Sequence, residues 1–115
     1  MELGKVYRQS QPVIAQAWRT TTMFERMRGL LGRPELKSGE ALIIEPCNAV
    51  HTFGMTYPLD IVFVDAKGKV LKLCSQLPKL RMAKSFGARM TIELAAGEAE
   101  RIGLAIGDQL QWKSN

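Results

Sequence analysis

The sequence predicts one α+β domain, rich in strand. Its sheet should be mainly antiparallel, and either curled or closed into a small barrel. Three observations lead there. Five or six short apolar runs are divided by turn-forming residues. A single segment sustains a helical period over several turns. The chain has 115 residues, 46% hydrophobic and 23% charged, enough for one core without disulfide staples. One domain, residues 1–115, is therefore expected, with an amphipathic helix at about 22–31 and a short helix at about 98–102.

The first strand is expected in "QPVIAQAW", where Val13, Ala15 and Ala17 alternate with Ile14, Gln16 and Trp18. "TTTMFERMRGLLGRP" is the helical segment. Thr22 and Glu25 have the spacing of a capping box, in which hydroxyl and carboxylate each accept a backbone N–H of the first turn. Met23, Phe24, Met27, Leu30 and Leu31 form one apolar face, expected to cover the sheet or plug an open end. Gly32 suits the left-handed position after the last turn, and Pro34 prevents continuation. Gly29 falls inside this helix at a cost of about 1 kcal/mol against alanine. Close approach of another backbone, or room for a ligand, would account for it.

"EALIIEP" reads as a short buried strand over Ala41–Ile44. "CNAVHTFGM" has no clear period. In "YPLDIVFVD" the strand starts after Pro58, which lacks a backbone donor, and Ile61–Val64 are apolar on both faces, as in a central strand. "DAKG" turns the chain into "KVLKLCSQL", completing a hairpin. "PKLRMAKSFGA" reads as a basic loop. In "RMTIELAAG" Met90, Ile92 and Leu94 face one way and Arg89, Thr91 and Glu93 the other. "GEAERIG" allows one or two helical turns ending at Gly103. Gly107-Asp108 then turns into a last strand with Leu110 and Trp112 on one face.

No apolar run approaches the roughly 20 residues of a membrane span. The first residues lack an apolar stretch followed by a small-residue cleavage site, so a cytoplasmic protein is expected. There Cys47 and Cys74 would be free thiols. One His and two Cys fall short of a zinc ligand set, so no metal and no cofactor are expected.

The formal charge is +5, concentrated in a run from Lys67 to Arg89 that holds seven basic residues and no acid. An anionic partner at the 79–89 loop fits that run, as does a plain solvated loop. Phe86 is its only aromatic residue, so the signal for nucleic acid is weak. The oligomeric state is not legible.

The chemistry-bearing residues crowd into "PCNAVHTFGMTYPLD". Cys47, His51 and Asp60 supply the residue types of a thiol nucleophile, its base and an orienting acid. In an extended chain, however, positions 47 and 51 would stand about 13 Å apart. They meet only if the chain turns, for which Asn48 is suited. A second reading is a small-ligand pocket of His51, Thr52, Met55 and Tyr57, polar tips on apolar bodies. Arg26 and Arg33, seven residues apart on one helix face, would add an anion contact. A third is structural: an alternating face of Phe53, Met55, Leu59 and Ile61, a buried thiol, and Asp60 capping or pairing with Arg26 or Arg33.

Four blocks in order, "ERMRGLLGR", "TFGM", "YPLDIVFVDAKGKV" and "IELAAGEAERIGLAIGDQL", resemble the bacterial and archaeal family called domain of unknown function 192. The resemblance runs from about Thr20 to Leu110 and is carried by Glu25, Arg26, Gly29, Leu30 and Arg33, by Phe53 and Met55, by Pro58-Leu59-Asp60-Ile61, and by Glu93-Leu94 with Ala96-Gly97 and Gly107-Asp108. Gly54 stands where tryptophan is common in the family, and Thr56 where lysine is frequent. The resemblance implies a compact, strand-rich fold with a helix and no particular reaction. A small binding or accessory domain with a pocket near His51 is therefore expected. The alternatives are a small hydrolase or transferase using Cys47, His51 and Asp60, or an anion-binding surface on the basic loop.

Overall fold

The computed structural model describes all of residues 1–115. Nine strands and two helices follow in the order β1 (Glu2–Arg8), β2 (Gln11–Arg19), α1 (Met23–Arg28), β3 (Glu40–Ile44), β4 (Ala49–His51), β5 (Leu59–Val64), β6 (Val70–Leu77), β7 (Met82–Lys84), β8 (Met90–Ala95), α2 (Glu98–Arg101) and β9 (Leu110–Ser114). Seven strands make one sheet in the order β6-β5-β8-β3-β2-β1-β9, and β4 pairs with β7 in a separate ribbon. Only β2 and β3 run parallel; the remaining pairs are antiparallel.

The sheet curls until its two edges touch. Lys69 bridges Gln109, and the Leu110 N–H donates to the Gly68 carbonyl at 2.7 Å. Glycine is required there: Gly68 has φ +89°, and a Cβ would collide with the Leu110 carbonyl oxygen. The expected hairpin is present, its turn tied by Asp65 Oδ1, which accepts the N–H groups of Lys67 and Lys69.

The central strands β3, β5 and β8 are buried on both faces. Residues alternating along them feed two cores. Ala41, Ile43, Val62, Val64, Ile92 and Leu94 point to the concave side, where Val6, Ile14 and Val70 complete the larger core. Leu42, Ile44, Leu59, Ile61 and Phe63 point outward into a second core, closed by Leu30 and Leu36 after α1 and by Val50 and Ala83 of the β4–β7 ribbon. That outer layer creates the candidate site.

The strand-rich α+β class and both helices match the sequence expectation, with four local differences. β1 is an unexpected strand, because the β1–β2 hairpin turns at Gln9 and Ser10, both with positive φ, without the glycine or asparagine that marks such a turn. β7 lies inside the expected basic loop and gives β4 its partner. The capping box forms, with Thr22 Oγ1 accepting from the Glu25 N–H at 3.1 Å and Glu25 Oε1 accepting from Thr22 and Thr21. The helix nevertheless stops at Arg28 rather than at 31, because Gly29 (φ +55°, ψ −127°) is its C-cap and not an interior residue.

The apolar face expected of α1 is not buried. Met23, Phe24 and Met27 are 67%, 72% and 76% exposed, and no residue of α1 is buried. Leu30 and Leu36, in the irregular chain that follows, cover the sheet instead. They reach the outer core because the helix ends early and frees the backbone to turn down onto it.

Candidate functional site

Glu93 lies in the middle of β8, opposite Leu42 of β3 on one side and Ile61 of β5 on the other. Being on the outward face, it is enclosed by the second core and is only 5% exposed. Its Oε1 has no hydrogen-bond partner. Burial among apolar neighbours pushes its carboxyl up from 4.5 to about 7.

Above this carboxyl is a cleft of about 100 Å³, open on one side, with Glu93 among its lining residues. The end of α1 forms one wall: Arg26, Met27 and the Gly29 backbone. A Cβ placed on Gly29 would stand 3.9 Å from Glu93 Oε1, so the glycine passes directly over the acid. The other wall is the segment from Cys47 to Met55.

Two bonds, one to Arg89 just before β8 and one to Thr91 within it, fix Cys47 beside this strand. The Cys47 N–H donates to the Arg89 carbonyl at 2.9 Å, and Thr91 Oγ1 donates to the Cys47 carbonyl at 3.1 Å. Thr91 precedes Glu93 by two positions and shares its face. The Cys47 thiol donates to the Ala49 carbonyl at 3.2 Å. β4 then alternates, with Ala49 and His51 exposed and Val50 buried. The His51 ring lies 5.2 Å from the Phe53 ring at the mouth.

The structure brings Cys47, His51, Met55 and Arg26 to one cleft. Asp60 is not part of it. Its Oδ1 accepts from the Gln76 N–H at 2.7 Å and its Oδ2 from the Ala99 N–H at 2.9 Å, so this carboxylate holds a bulge in β6 and the start of α2. Thr52 is fully buried; its hydroxyl donates to the Pro78 carbonyl at 2.6 Å and accepts from the Arg81 N–H at 2.9 Å, tying β4 to the chain before β7. Arg33 donates to the Gly29 carbonyl at 2.8 Å and borders a separate hollow with Trp18 and Leu36. Tyr57 accepts from the Leu36 N–H at 3.2 Å and, half-buried, lies beyond Leu30. No three His, Cys, Asp or Glu side chains are grouped so as to hold a metal ion.

Glu93 itself is the residue the sequence reading passed over. In the sequence it falls with Arg89 and Thr91 on the side of the strand opposite Met90, Ile92 and Leu94. The signal is indirect: "ALII" and "IVFV" are apolar on both faces, so a strand between them has no solvent face, but only the sheet order places β8 there.

A curled, mainly antiparallel sheet with a covered outer face and a cleft over a buried acid defines the class: a small, strand-rich α+β domain with an unpaired acid beneath a cleft. The sequence model of the DUF192 family, described as uncharacterized ACR, matches residues 6–112, and the chain belongs to that family. A UPF0127 protein of Thermococcus sibiricus is 29% identical over 96 residues, covering 80% of this chain. The chain spans about 62% of that relative's length. A Novosphingobium aromaticivorans protein of unknown function has a similar structure, with TM-score 0.77, 24% identity and coverage of 96% of this chain and 84% of the other. A Sinorhizobium meliloti structure, named as a putative transcription regulator, gives TM-score 0.80 at 17% identity, covering 96% and 92%. At these identities the two structures share the fold. No helix is long and apolar enough to cross a membrane.

Proposed function

We propose that this domain binds a small ligand in the cleft between the end of α1 and β4, with Glu93 as the recognition group at its floor. One observation carries this reading: Glu93 lines the cleft, and its buried Oε1 has no partner. Leaving a buried acid unpaired costs on the order of several kcal/mol, and such groups concentrate where a ligand completes them. The surroundings fit. Leu30, Ile44, Val50 and Met55 give apolar walls, while Arg26, His51 and Glu93 supply the few polar groups.

The test is a screen of fragment-sized compounds by amide NMR on the full chain. Binders are expected to move the Gly29, Ala49 and His51 signals together, and Glu93→Gln, which keeps the side-chain shape, should weaken them at least tenfold. Binders that map elsewhere, or are indifferent to Glu93→Gln, would overturn the reading.

A further inference from the structure

Two groups that carry opposite charge once Glu93 is ionised line the same cleft and are not joined to each other. The ion pairs of the chain are Met1 with Glu25, Arg8 with Asp108, Arg19 with Glu45, and Arg101 with Glu98; Arg26 and Glu93 are in none of them. The neighbouring arginines are occupied. Arg28 donates to the Leu31 carbonyl at 2.8 Å, and Arg33 to the Gly29 carbonyl at the same distance. Arg26 is half-buried at the cleft wall, and its guanidinium donates to no protein acceptor. Glu93 offers an acceptor at the floor. Between them lie apolar side chains and the bare backbone of Gly29.

A ligand with only a cationic head would meet Glu93 and leave Arg26 unpaired. A ligand with only an anionic head would meet Arg26 and leave the floor unsatisfied. One molecule carrying both groups satisfies both. We propose that the ligand is a small zwitterion of the amino-acid class, its ammonium group on Glu93 and its carboxylate on the Arg26 fork, with a short apolar body against Met55 and Val50. This rests on the cleft being a binding site and goes further in naming what it binds. Three ammonium hydrogens suit a recessed carboxylate, and the planar guanidinium suits a carboxylate at the mouth.

The experiment uses the full chain and five probes: glycine, β-alanine, 4-aminobutanoate, n-butylamine and n-butanoate. Each is titrated at pH 8, where Glu93 is mostly ionised, while the amide signals of Gly29, Ala49 and His51 are followed. At least one of the three amino acids should bind at the cleft with Kd at least tenfold below both one-ended probes. Arg26→Gln and Glu93→Gln should each remove that advantage. If Glu93→Gln does not fold, Arg26→Gln, on a helix with no buried residue, still decides the matter. Butylamine or butanoate binding at the cleft as tightly as every amino acid would overturn the zwitterion and leave the cleft standing. Absence of binding by all five would overturn the zwitterion as well, and the fragment screen then judges the cleft by itself.

Discussion

The end of α1 meets the carboxyl of Glu93 at Gly29, where a Cβ would stand 3.9 Å from Oε1, in ordinary contact with it. This relationship joins three facts that look separate in sequence: a glycine at the end of α1, an acid in a buried strand, and a cleft between them. The glycine ends the helix with φ +55°, a conformation that disfavours any side chain.

Gly29→Ala is expected to cost about 1–3 kcal/mol from the backbone conformation. It should also roof the acid with a methyl group. Urea unfolding measures the first effect and amide NMR titration with a cleft-binding fragment the second. A variant as stable as the parent that binds equally well would show that the glycine serves neither purpose.

The raised Glu93 carboxyl gives stability a specific pH dependence. The unfolded group releases its proton near 4.5, whereas the folded one holds it to about 7. Between those values the folded state binds the extra proton, so stability falls as pH rises. The interval corresponds to about 3 kcal/mol, lost progressively from about pH 4.5 to about pH 7 and constant above. Unfolding of wild type and Glu93→Gln at pH 5 and pH 8 isolates this contribution, since other groups cancel in the difference. The wild type should lose more stability than the variant across that range. Equal losses would contradict the burial of an unpaired acid.

Asp60 is expected to act on the fold and not on the thiol. Asp60→Ala removes the acceptor of two backbone N–H groups, at Gln76 and Ala99, and should cost about 3 kcal/mol or more. Asp60→Asn, if folded, should leave the rate of Cys47 alkylation by iodoacetamide within twofold of the parent. A tenfold fall would tie Asp60 to Cys47 and revive the nucleophile reading.

The exposed face of α1 gives a prediction opposite to that of its sequence pattern. Phe24→Ser and Met27→Ser should each change stability by less than about 0.5 kcal/mol, because neither side chain is buried. Phe63→Ala, in the second core, should cost about 3–5 kcal/mol. Chemical denaturation of the three variants checks the contrast, and a large loss at Phe24 would mean that the helix packs inward.

What the sequence revealed follows from which signals are local. The Thr22–Glu25 capping box, the Asp65–Gly68 turn and the doubly apolar β5 are each decided within a few residues, and each appears as read. β1 escaped notice because its turn uses Gln9 and Ser10 in place of glycine or asparagine. The extent of α1 is masked because Leu30 and Leu31 continue the helical period while Gly29 has already broken the helix. At the site, the cluster from Cys47 to Met55 was legible as a place where chemistry-bearing residues gather. Its partner Glu93 was not, because burial of that acid depends on Leu42 and Ile61, each more than thirty residues away in sequence and adjacent only once the sheet forms. Asp60, close to His51 in sequence, is held instead by Gln76 and Ala99.

The most direct measurement is the carboxyl carbon shift of Glu93, followed by NMR as a function of pH in the full chain. A buried, unpaired acid at the floor of a cleft should titrate at about 7. A midpoint at the ordinary value of 4.5 would mean that solvent or a protein donor already satisfies the carboxyl, and the cleft would lose its recognition group.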